Sequence, residues 1–313
     1  FFYTRLANPT VAAVESKIAE LEGGIGAMLL SAGQAASLYS IFNICEAGDH
    51  FISCSAIYGG TFNLFAVTFK KLGIEVTFVD QDAPEEEIQK AFRPNTKCVF
   101  AETISNPSLQ VLDIRKMADI AHKNGVPLIV DNTFATPINC RPFEHGADIV
   151  MHSTTKYMDG HATQVGGVVV DSGNFDWAAH ADKFPGLTQP DDSYHGLVYP
   201  EAFGKGAYIT KCTVQLMRDL GSIPSPMNAF LLNLGLETLA VRMERYCKNA
   251  LEVAKYLEAS AHVASVSYPG LENDKYYERA QKYLPNGGGS IFTFEVKGDS
   301  ATAQKFIDNL PIF

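Results

Sequence analysis

Short apolar segments alternate with longer amphipathic ones over the first half of the chain. The apolar segments are rich in β-branched residues, which is typical of strands buried on both faces of a parallel sheet. The amphipathic segments have the spacing of helices. This alternation predicts an α/β fold with a mostly parallel, seven-stranded sheet flanked by helices. The predicted strands cover residues 27–30, 50–54, 75–79, 98–102, 126–130, 149–151 and 166–171. The last follows its predecessor closely enough to pair antiparallel or to close the sheet.

Capping residues predict where the helices begin and end. Residues 11–21 carry apolar side chains at helical spacing and stop before Gly23, because glycine ends a helix readily. Residues 113–124 form another predicted helix, with Asp113 as its N-cap and Gly125 just past its end. Two further helices are predicted at residues 62–71 and 84–91.

The alternation fades after residue 171. Residues 172–200 are rich in Gly, Pro, Asp, His and Tyr, and we predict a long loop near the ligand crevice. Helical patterns fill residues 201–219 and 227–258. The Gly- and Pro-rich stretch between them, residues 221–226, should bend the chain and mark a domain boundary.

This boundary predicts a large domain over residues 1–221 and a smaller C-terminal α/β domain over residues 222–313. The smaller domain contains predicted strands at residues 263–268 and 290–296 and a helix at residues 300–309. The chain begins without methionine and stops inside the alternation of strands and helices. We therefore expect both ends to be truncated.

Composition narrows the classes of function. The net charge of −10 and the isoelectric point near 5.3 argue against nucleic acid or an anionic membrane surface as a partner, because both are polyanions. No apolar run approaches the roughly 20 residues that span a bilayer. The cysteines are scattered, without a C-x-x-C pair or zinc-like spacing, which predicts reduced thiols, a cytoplasmic protein and no metal site.

Two charged residues follow neighbouring predicted strands. Asp131 comes directly after residues 126–130, and Lys156 lies shortly after residues 149–151. Because ligands of open α/β sheets bind outside the carboxyl ends of the strands, this acid and this amine can share one ligand. Pyridoxal phosphate fits, since its aldehyde forms a Schiff base with lysine and its ring nitrogen pairs with a carboxylate. A helix-capping Asp131 and a solvated Lys156 are the alternative.

Two other strand ends carry suitable residues. Ser31 to Ala35 form a strand-to-helix turn, in which Gly33 lets the backbone approach a ligand and the first helical N–H groups point at it. This turn is a candidate phosphate-binding site, although close helix packing explains small residues there as well. The hydroxyls of Ser153 and Thr155 can add to it. Tyr58 follows the second strand and can stack on a flat ring.

With these residues in view, the chain resembles the Cys/Met-metabolism family of pyridoxal-phosphate-dependent enzymes over nearly its whole length. The most specific motifs are Tyr3-Thr-Arg5-Leu-Ala-Asn8-Pro9-Thr10, Ser31-Ala-Gly33-Gln34-Ala, Tyr58-Gly-Gly-Thr61, Asp131-Asn-Thr133 and His152-Ser153-Thr-Thr155-Lys156-Tyr157. The resemblance implies the type I fold of pyridoxal-phosphate-dependent transferases.

The resemblance also implies roles for individual residues. Lys156 would be the Schiff-base lysine and Asp131 the partner of the ring nitrogen. Tyr58 would stack on the ring and Asn106 would lie near the ring hydroxyl. The remaining predicted cofactor-binding residues are Ser153, Thr155 and the N–H groups of Gly33 and Gln34 for the phosphate, and Thr133 in the motif of Asp131.

The family uses the positions of Tyr3 and Arg5 to reach the phosphate of a neighbouring subunit. The resemblance therefore implies an obligate dimer, usually paired into a tetramer. It also implies an arginine for the substrate carboxylate, which would lie beyond Phe313.

The implied reaction is γ-replacement on O-acetyl-L-homoserine by sulfide or a thiol, which gives homocysteine or methionine and acetate. Lys156, Asp131 and Tyr58 are the predicted catalytic residues. Elimination of a γ-group from methionine or homocysteine, giving 2-oxobutanoate and ammonia, is the alternative within the family. By resemblance, Gly60 and the segment 184–206 favour replacement.

Parts of the sequence also suggest two other classes of protein. Gly24-Ile-Gly26 and the β-α-β order suggest a nicotinamide-dependent oxidoreductase, but no full G-x-G-x-x-G lies at a strand-to-helix turn. A non-catalytic protein that binds pyridoxal phosphate would explain the missing C-terminal arginine.

Overall fold

The computed structural model describes residues 2–311, and a seven-stranded sheet forms its centre. The strands are β1 (Gly26–Leu30), β2 (His50–Cys54), β3 (Glu75–Val79), β4 (Thr96–Glu102), β5 (Leu128–Asp131), β6 (Ile149–His152) and β7 (Gly167–Asp171). They lie in the order β1-β7-β6-β5-β4-β2-β3. Neighbours from β6 to β3 are parallel, whereas β7 runs antiparallel to both β6 and β1. The predicted sheet is confirmed.

Helices cover both faces of this sheet. The helices of the first half are α1 (Pro9–Glu22), α2 (Gly33–Phe42), α3 (Gly59–Asn63), α4 (Phe69–Lys71), α5 (Glu85–Gln89), α6 (Ile114–Lys123) and α7 (Thr136–Asn139), and a π-helical turn, Leu64–Thr68, joins α3 to α4. Side chains alternate between the faces of a strand. Val169 of β7 accordingly packs with Tyr39 of α2, whereas Val168 and Val170 pack with Ile18 of α1 on the opposite face.

Local capping explains where two of these helices begin. The side chain of Asn8 accepts hydrogen bonds from the N–H groups of Thr10 and Val11, and Pro9 occupies the first turn of α1, where its missing N–H is tolerated. Asp113 accepts a hydrogen bond from the N–H of Lys116, which confirms it as the N-cap of α6.

The second half of the chain is mostly helical before it forms a small two-stranded sheet. Its elements are α8 (Pro185–Thr188), α9 (Tyr199–Phe203), α10 (Ala207–Lys211), α11 (Arg218–Leu220), α12 (Pro226–Glu237), α13 (Leu239–Glu258), β8 (Val263–Ser267), α14 (Tyr277–Tyr283), β9 (Thr293–Val296) and α15 (Ser300–Asp308). Strands β8 and β9 are antiparallel. The predicted helical stretch 227–258 is two helices that meet at Thr238, and α14 was not predicted.

The segment 172–200 differs from the prediction in its position. It is a long connection with only short helical turns, but Trp177 and Phe184 are buried and Trp177 stacks on Tyr208 with ring centroids 5.5 Å apart. Its residues line a groove with Lys211 and are absent from the cavity that contains Lys156. The few aromatic residues, rather than the many polar ones, determine where this segment lies.

Helix α12 packs on the first helix of the chain. Leu232 and Leu236 of α12 share a buried cluster with Val14 and Ile18 of α1. The second half of α13 belongs to a separate small cluster, in which Ala254 packs with Tyr268 and Leu271, which follow β8. The division of the chain into domains at residue 221 stays a prediction.

Membrane-spanning helices, disulfides and metal-binding clusters were each considered in the sequence, and the structure bears on all three. No helix among residues 2–311 has the length and apolar character to cross a membrane. All six cysteines are buried and form no disulfide. In the same part of the chain, no group of His, Cys, Asp and Glu side chains is placed to hold a metal ion.

Arg242 fastens α13 to the loop that carries Lys156. Its guanidinium donates one hydrogen bond of 2.7 Å to the carbonyl of Tyr157 and another of 2.7 Å to the carbonyl of Gly235 at the end of α12. Three elements therefore meet at one cationic side chain. A charged hydrogen bond of this kind contributes about 1.5–3 kcal/mol.

Substitution Arg242→Ala should lower the free energy of unfolding by about 2 kcal/mol, because both carbonyls lose a charged donor. Arg245→Ala, one turn further along on an exposed part of α13, is the matched control and should change the melting temperature little. Thermal unfolding of both variants measures the difference. Equal melting temperatures would show that Arg242 does not hold the loop.

Candidate active site

A cavity of about 290 Å³ lies at the carboxyl ends of β4, β5 and β6, and both Asp131 and Lys156 line it. The acid and the amine therefore face one shared space, as predicted from the strand ends. Nine of the eleven predicted site residues line this cavity, namely Gly33, Gln34, Tyr58, Asn106, Asp131, Thr133, Ser153, Thr155 and Lys156.

Asp131 is the last residue of β5, and Thr133 orients its carboxylate. The N–H of Thr133 donates to Asp131 Oδ1 at 2.9 Å, and the hydroxyl of Thr133 donates to the same oxygen. The N–H of Ser153 in turn donates to that hydroxyl at 2.9 Å. Burial raises the pKa of Asp131, against the effect of the two Thr133 donors. Thr133 thus links the acid to the loop that carries Lys156.

Glu102 also lines this cavity, although it is not among the predicted site residues. It is the last residue of β4 and stands in register beside Asp131 on the neighbouring strand. Burial, followed by the charge of Asp131, raises the pKa of Glu102 well above its usual range. The signal was present in the sequence, since Glu102 ends a predicted strand in the same way that Asp131 does.

The turn before α2 forms the candidate phosphate-binding site. Gly33 is the first residue of α2, and its N-cap, Ala32, supplies no side-chain hydrogen bond, so the first N–H groups of the helix stay available for an anion. A Cβ at position 33 would lie 2.6 Å from Ser153 Cβ. Only glycine lets this turn approach Ser153 so closely. Gln34 binds the hydroxyl of Thr61 at 3.0 Å.

Thr155 is held by the start of β7. Its hydroxyl accepts from the N–H of Gly166 at 3.0 Å and donates to the carbonyl of the same residue at 3.2 Å. The hydroxyl of Ser153, by contrast, has no hydrogen-bond partner among the described residues. Of the two hydroxyls predicted to bind the phosphate, that of Ser153 is therefore the one with a free donor.

Lys156 borders a second, larger cavity. This space of about 700 Å³ shares Asn106, Phe134, Thr155 and Lys156 with the first cavity, and its other side is lined by residues of α13 and of the segment before β9, among them Asn249 and Ser290. The hydroxyls of Tyr157 and Ser290 form a hydrogen bond at its wall. The lysine therefore stands between a smaller cavity and a space large enough for an additional small molecule.

Tyr3 and Arg5 are the two predicted site residues that do not line the cavity. The guanidinium of Arg5 donates to the carbonyl of Arg218 and lies 5.1 Å from the centre of the Tyr3 ring. Within one chain the structure does not bring these residues to the site.

His152 is the last residue of β6. It is buried and its Nε2 is 2.5 Å from the Glu22 carboxylate. His152, His161 and His195 are absent from the lining of both cavities.

The residues of the smaller cavity fit pyridoxal phosphate. Two buried carboxylates face it, and no lysine or arginine within residues 2–311 forms an ion pair with either one. A protonated ring nitrogen would supply a positive charge beside them. The helix start at Gly33 and the free hydroxyl of Ser153 suit a phosphate, and Lys156 supplies the amine.

The sheet and the site together define a pyridoxal-phosphate enzyme of fold type I. The chain belongs to the Cys/Met metabolism PLP-dependent enzyme family, whose model matches residues 1–313. This result confirms the resemblance inferred from the sequence motifs, together with the cofactor that it implied.

Several relatives match almost the whole chain. A homocysteine/cysteine synthase of Saccharomyces cerevisiae is 48% identical over 98% of this chain and 69% of its own length. An O-acetyl-L-homoserine sulfhydrylase of Leptospira meyeri is 47% identical over 99% of this chain and 72% of its own length.

A solved structure has the same fold. The crystal structure of a Campylobacter jejuni protein, assigned as an O-acetylhomoserine (thiol)-lyase, has a TM-score of 0.95 and 36% identity over 99% of this chain and 77% of its own. That structure contains an N'-pyridoxyl-lysine-5'-monophosphate.

Substitution Gly60→Ala should displace the Tyr58 ring and weaken cofactor binding several-fold. A Cβ at position 60 would lie 2.5 Å from Tyr58 Cε1, whereas one at position 59 meets nothing within 4 Å. Gly59→Ala is therefore the matched control. Titration of each apo-protein with pyridoxal phosphate gives the dissociation constants. Equal constants for the two variants would show that the ring does not depend on Gly60.

Proposed function

We propose that the protein catalyses γ-replacement on O-acetyl-L-homoserine, in which sulfide or a thiol displaces acetate to give homocysteine or methionine. The position of Lys156 carries this proposal, because the lysine borders both the cavity that contains Asp131 and the larger space beside it. The names of the relatives at 44–48% identity support the choice of substrate.

The residues of the site have distinct tasks in this reaction. Bound pyridoxal phosphate supplies an electron-withdrawing ring that makes the Cα–H of an attached amino acid acidic. Asp131 keeps the proton on the ring nitrogen, and Thr133 holds the carboxylate in place for this purpose. The amine of Lys156 takes the proton from Cα of the substrate. A second proton must leave Cβ before the γ-acetate departs, and Lys156 borders the space where that carbon would lie.

Tyr58 has two tasks in this proposal. Its ring stacks on the cofactor ring, and its hydroxyl can protonate the departing acetate. Tyr58 is 49% exposed, so the bound cofactor would give its ring a packing partner.

Replacement and γ-elimination share their early steps, so a γ-lyase is the second candidate. The Tyr58 ring occupies the space that a side chain at residue 60 would need. This feature supports replacement, because by resemblance γ-lyases carry a cysteine there. An assay with and without sulfide separates the two reactions.

We also propose that two copies of the chain complete each other's sites through Tyr3 and Arg5. Neither residue lines the cavity of its own chain. Helix α12 exposes Met227, Phe230 and Leu234 at helical spacing, and such an apolar face suits a second copy of the chain. We further propose that two such dimers form a tetramer. We also propose a cytoplasmic location, which the six cysteines without a disulfide support.

Substitution Lys156→Ala should reduce homocysteine formation from O-acetylhomoserine and sulfide by at least about 100-fold. It should also abolish the pyridoxyl-lysine adduct that borohydride reduction leaves in the parent protein. The matched control is Lys248→Ala, an exposed lysine of α13, which should retain both. A parent protein that releases 2-oxobutanoate and ammonia equally well without sulfide would favour the lyase instead.

Mixing two inactive variants tests the shared site. Lys156→Ala and Arg5→Ala should each be impaired, but a mixed dimer places the intact lysine of one copy beside the intact arginine of the other. After refolding of an equal mixture, about one quarter of the sites should be restored, since half the dimers are mixed and each has one intact site of two. Absence of any recovery would show that Arg5 acts within its own chain or not at all.

A further inference from the structure

Glu102 joins two residues of the site through their backbone. Its Oε1 accepts the N–H of Tyr58 at 2.7 Å, and its Oε2 accepts the N–H of Asn106 at 3.1 Å. Tyr58 follows β2 and Asn106 follows β4, which are neighbours in the sheet. One buried carboxylate therefore ties together two segments that reach the cofactor cavity from different strands.

The position of the Tyr58 ring depends on how the backbone of Tyr58 is held. Tyr58 is 49% exposed, so few contacts at the end of its side chain fix the ring. Tyr58 is the N-cap of α3, and its side chain caps no N–H group of that helix. Three contacts restrain the residue: its N–H donates to Glu102, its carbonyl accepts the N–H of Phe62 at 2.9 Å, and its ring lies close to Gly60. Of these, only the bond to Glu102 comes from another strand.

Glu102 and Asp131 have different partners, which indicates different roles for the two carboxylates. A single protonated ring nitrogen can neutralise only one of them. Both oxygens of Glu102 already accept peptide N–H groups, whereas Asp131 is held at Oδ1 alone and keeps Oδ2 for the ring. Glu102 is 4% exposed and has no ion-pair partner among residues 2–311. Its contribution to the site is therefore through the backbone groups that it holds.

We propose that Glu102 is a positioning residue, which sets the place of the Tyr58 ring over the cofactor and the approach of Asn106 by holding the N–H groups of both. This proposal rests on the cofactor of the family and on the geometry of β4, and it does not depend on which substrate the protein uses.

Two variants break the arrangement in different ways. Glu102→Gln keeps the size of the side chain but directs an NH₂ group at one of the two N–H donors. Glu102→Asp keeps the carboxyl group but is one methylene too short to reach both donors. The matched control is Asp171→Asn. Asp171 is the last residue of β7, is buried, and also accepts two backbone N–H groups, those of Gly173 and Ile209, away from the cavity.

Two measurements on the holoenzyme report on the cofactor without any substrate. Visible circular dichroism of bound pyridoxal phosphate is sensitive to the orientation of the ring and its stacking partner, and titration of the apo-protein gives the dissociation constant. Both Glu102 variants should change the dichroic intensity by about twofold or more and raise the dissociation constant about tenfold, equivalent to 1.4 kcal/mol. Asp171→Asn should leave both unchanged, whatever its effect on melting temperature.

Three results would overturn the proposal. Glu102→Gln could match the parent in both signals, or Asp171→Asn could change them to the same extent, which would mean a general effect of losing a buried carboxylate. Parent-like values of both signals in Glu102→Asp would mean that the cofactor site needs a carboxyl group there but not one that reaches both N–H donors. If Glu102→Gln fails to fold, Glu102→Asp against Asp171→Asn decides. Because no substrate is involved, failure of the proposed reaction leaves this test intact.

Discussion

The side-by-side placement of Glu102 and Asp131 at the ends of β4 and β5 is the constraint on which the site depends. Two carboxylates buried beside each other cannot both stay charged unless donors or cations compensate them. The chain supplies peptide N–H groups to Glu102 and the Thr133 donors to Asp131, but no lysine or arginine among residues 2–311 forms an ion pair with either carboxylate. A cofactor with a protonated ring nitrogen would add a positive charge beside them, which gives a physical reason for the cofactor that the family carries.

Parallel pairing is what makes this arrangement possible. Because β4, β5 and β6 point in the same direction, their last residues and the loops after them converge at one edge of the sheet. Strand β7 returns in the opposite direction, and its first neighbour, Gly166, holds the Thr155 hydroxyl in the lysine loop. Arg242 holds the far end of that loop. The residues on either side of the lysine are thus held by Gly166 and Arg242, while the lysine's own side chain forms no hydrogen bond or ion pair with any of residues 2–311.

The sequence predicted those features that follow from local rules. Asp131 and Lys156 could be predicted because strand ends form ligand sites, and Asp113 because an N-cap acts within one turn of its helix. Glu102 could not be assigned a role in this way, since one of its partners is a backbone N–H that lies 44 residues earlier. The position of residues 172–200 was also wrongly predicted. There the burial of Trp177 and Phe184 outweighs the polar composition on which the prediction relied.

The end of α1 connects the lysine loop to the N-terminal arm, which is the segment before this helix, residues 2–8. Glu22 ends this helix, where the helix dipole disfavours a negative charge, and it is completely buried. This position is tolerated because Glu22 Oε1 accepts hydrogen bonds from Asn132, beside Asp131, and from His152, beside Ser153. Helix α1 is therefore locked to the two strands that deliver the acid and the lysine. Since Arg5 lies four residues before Pro9, the first residue of α1, the interactions that fix the site also fix the point from which the arm departs.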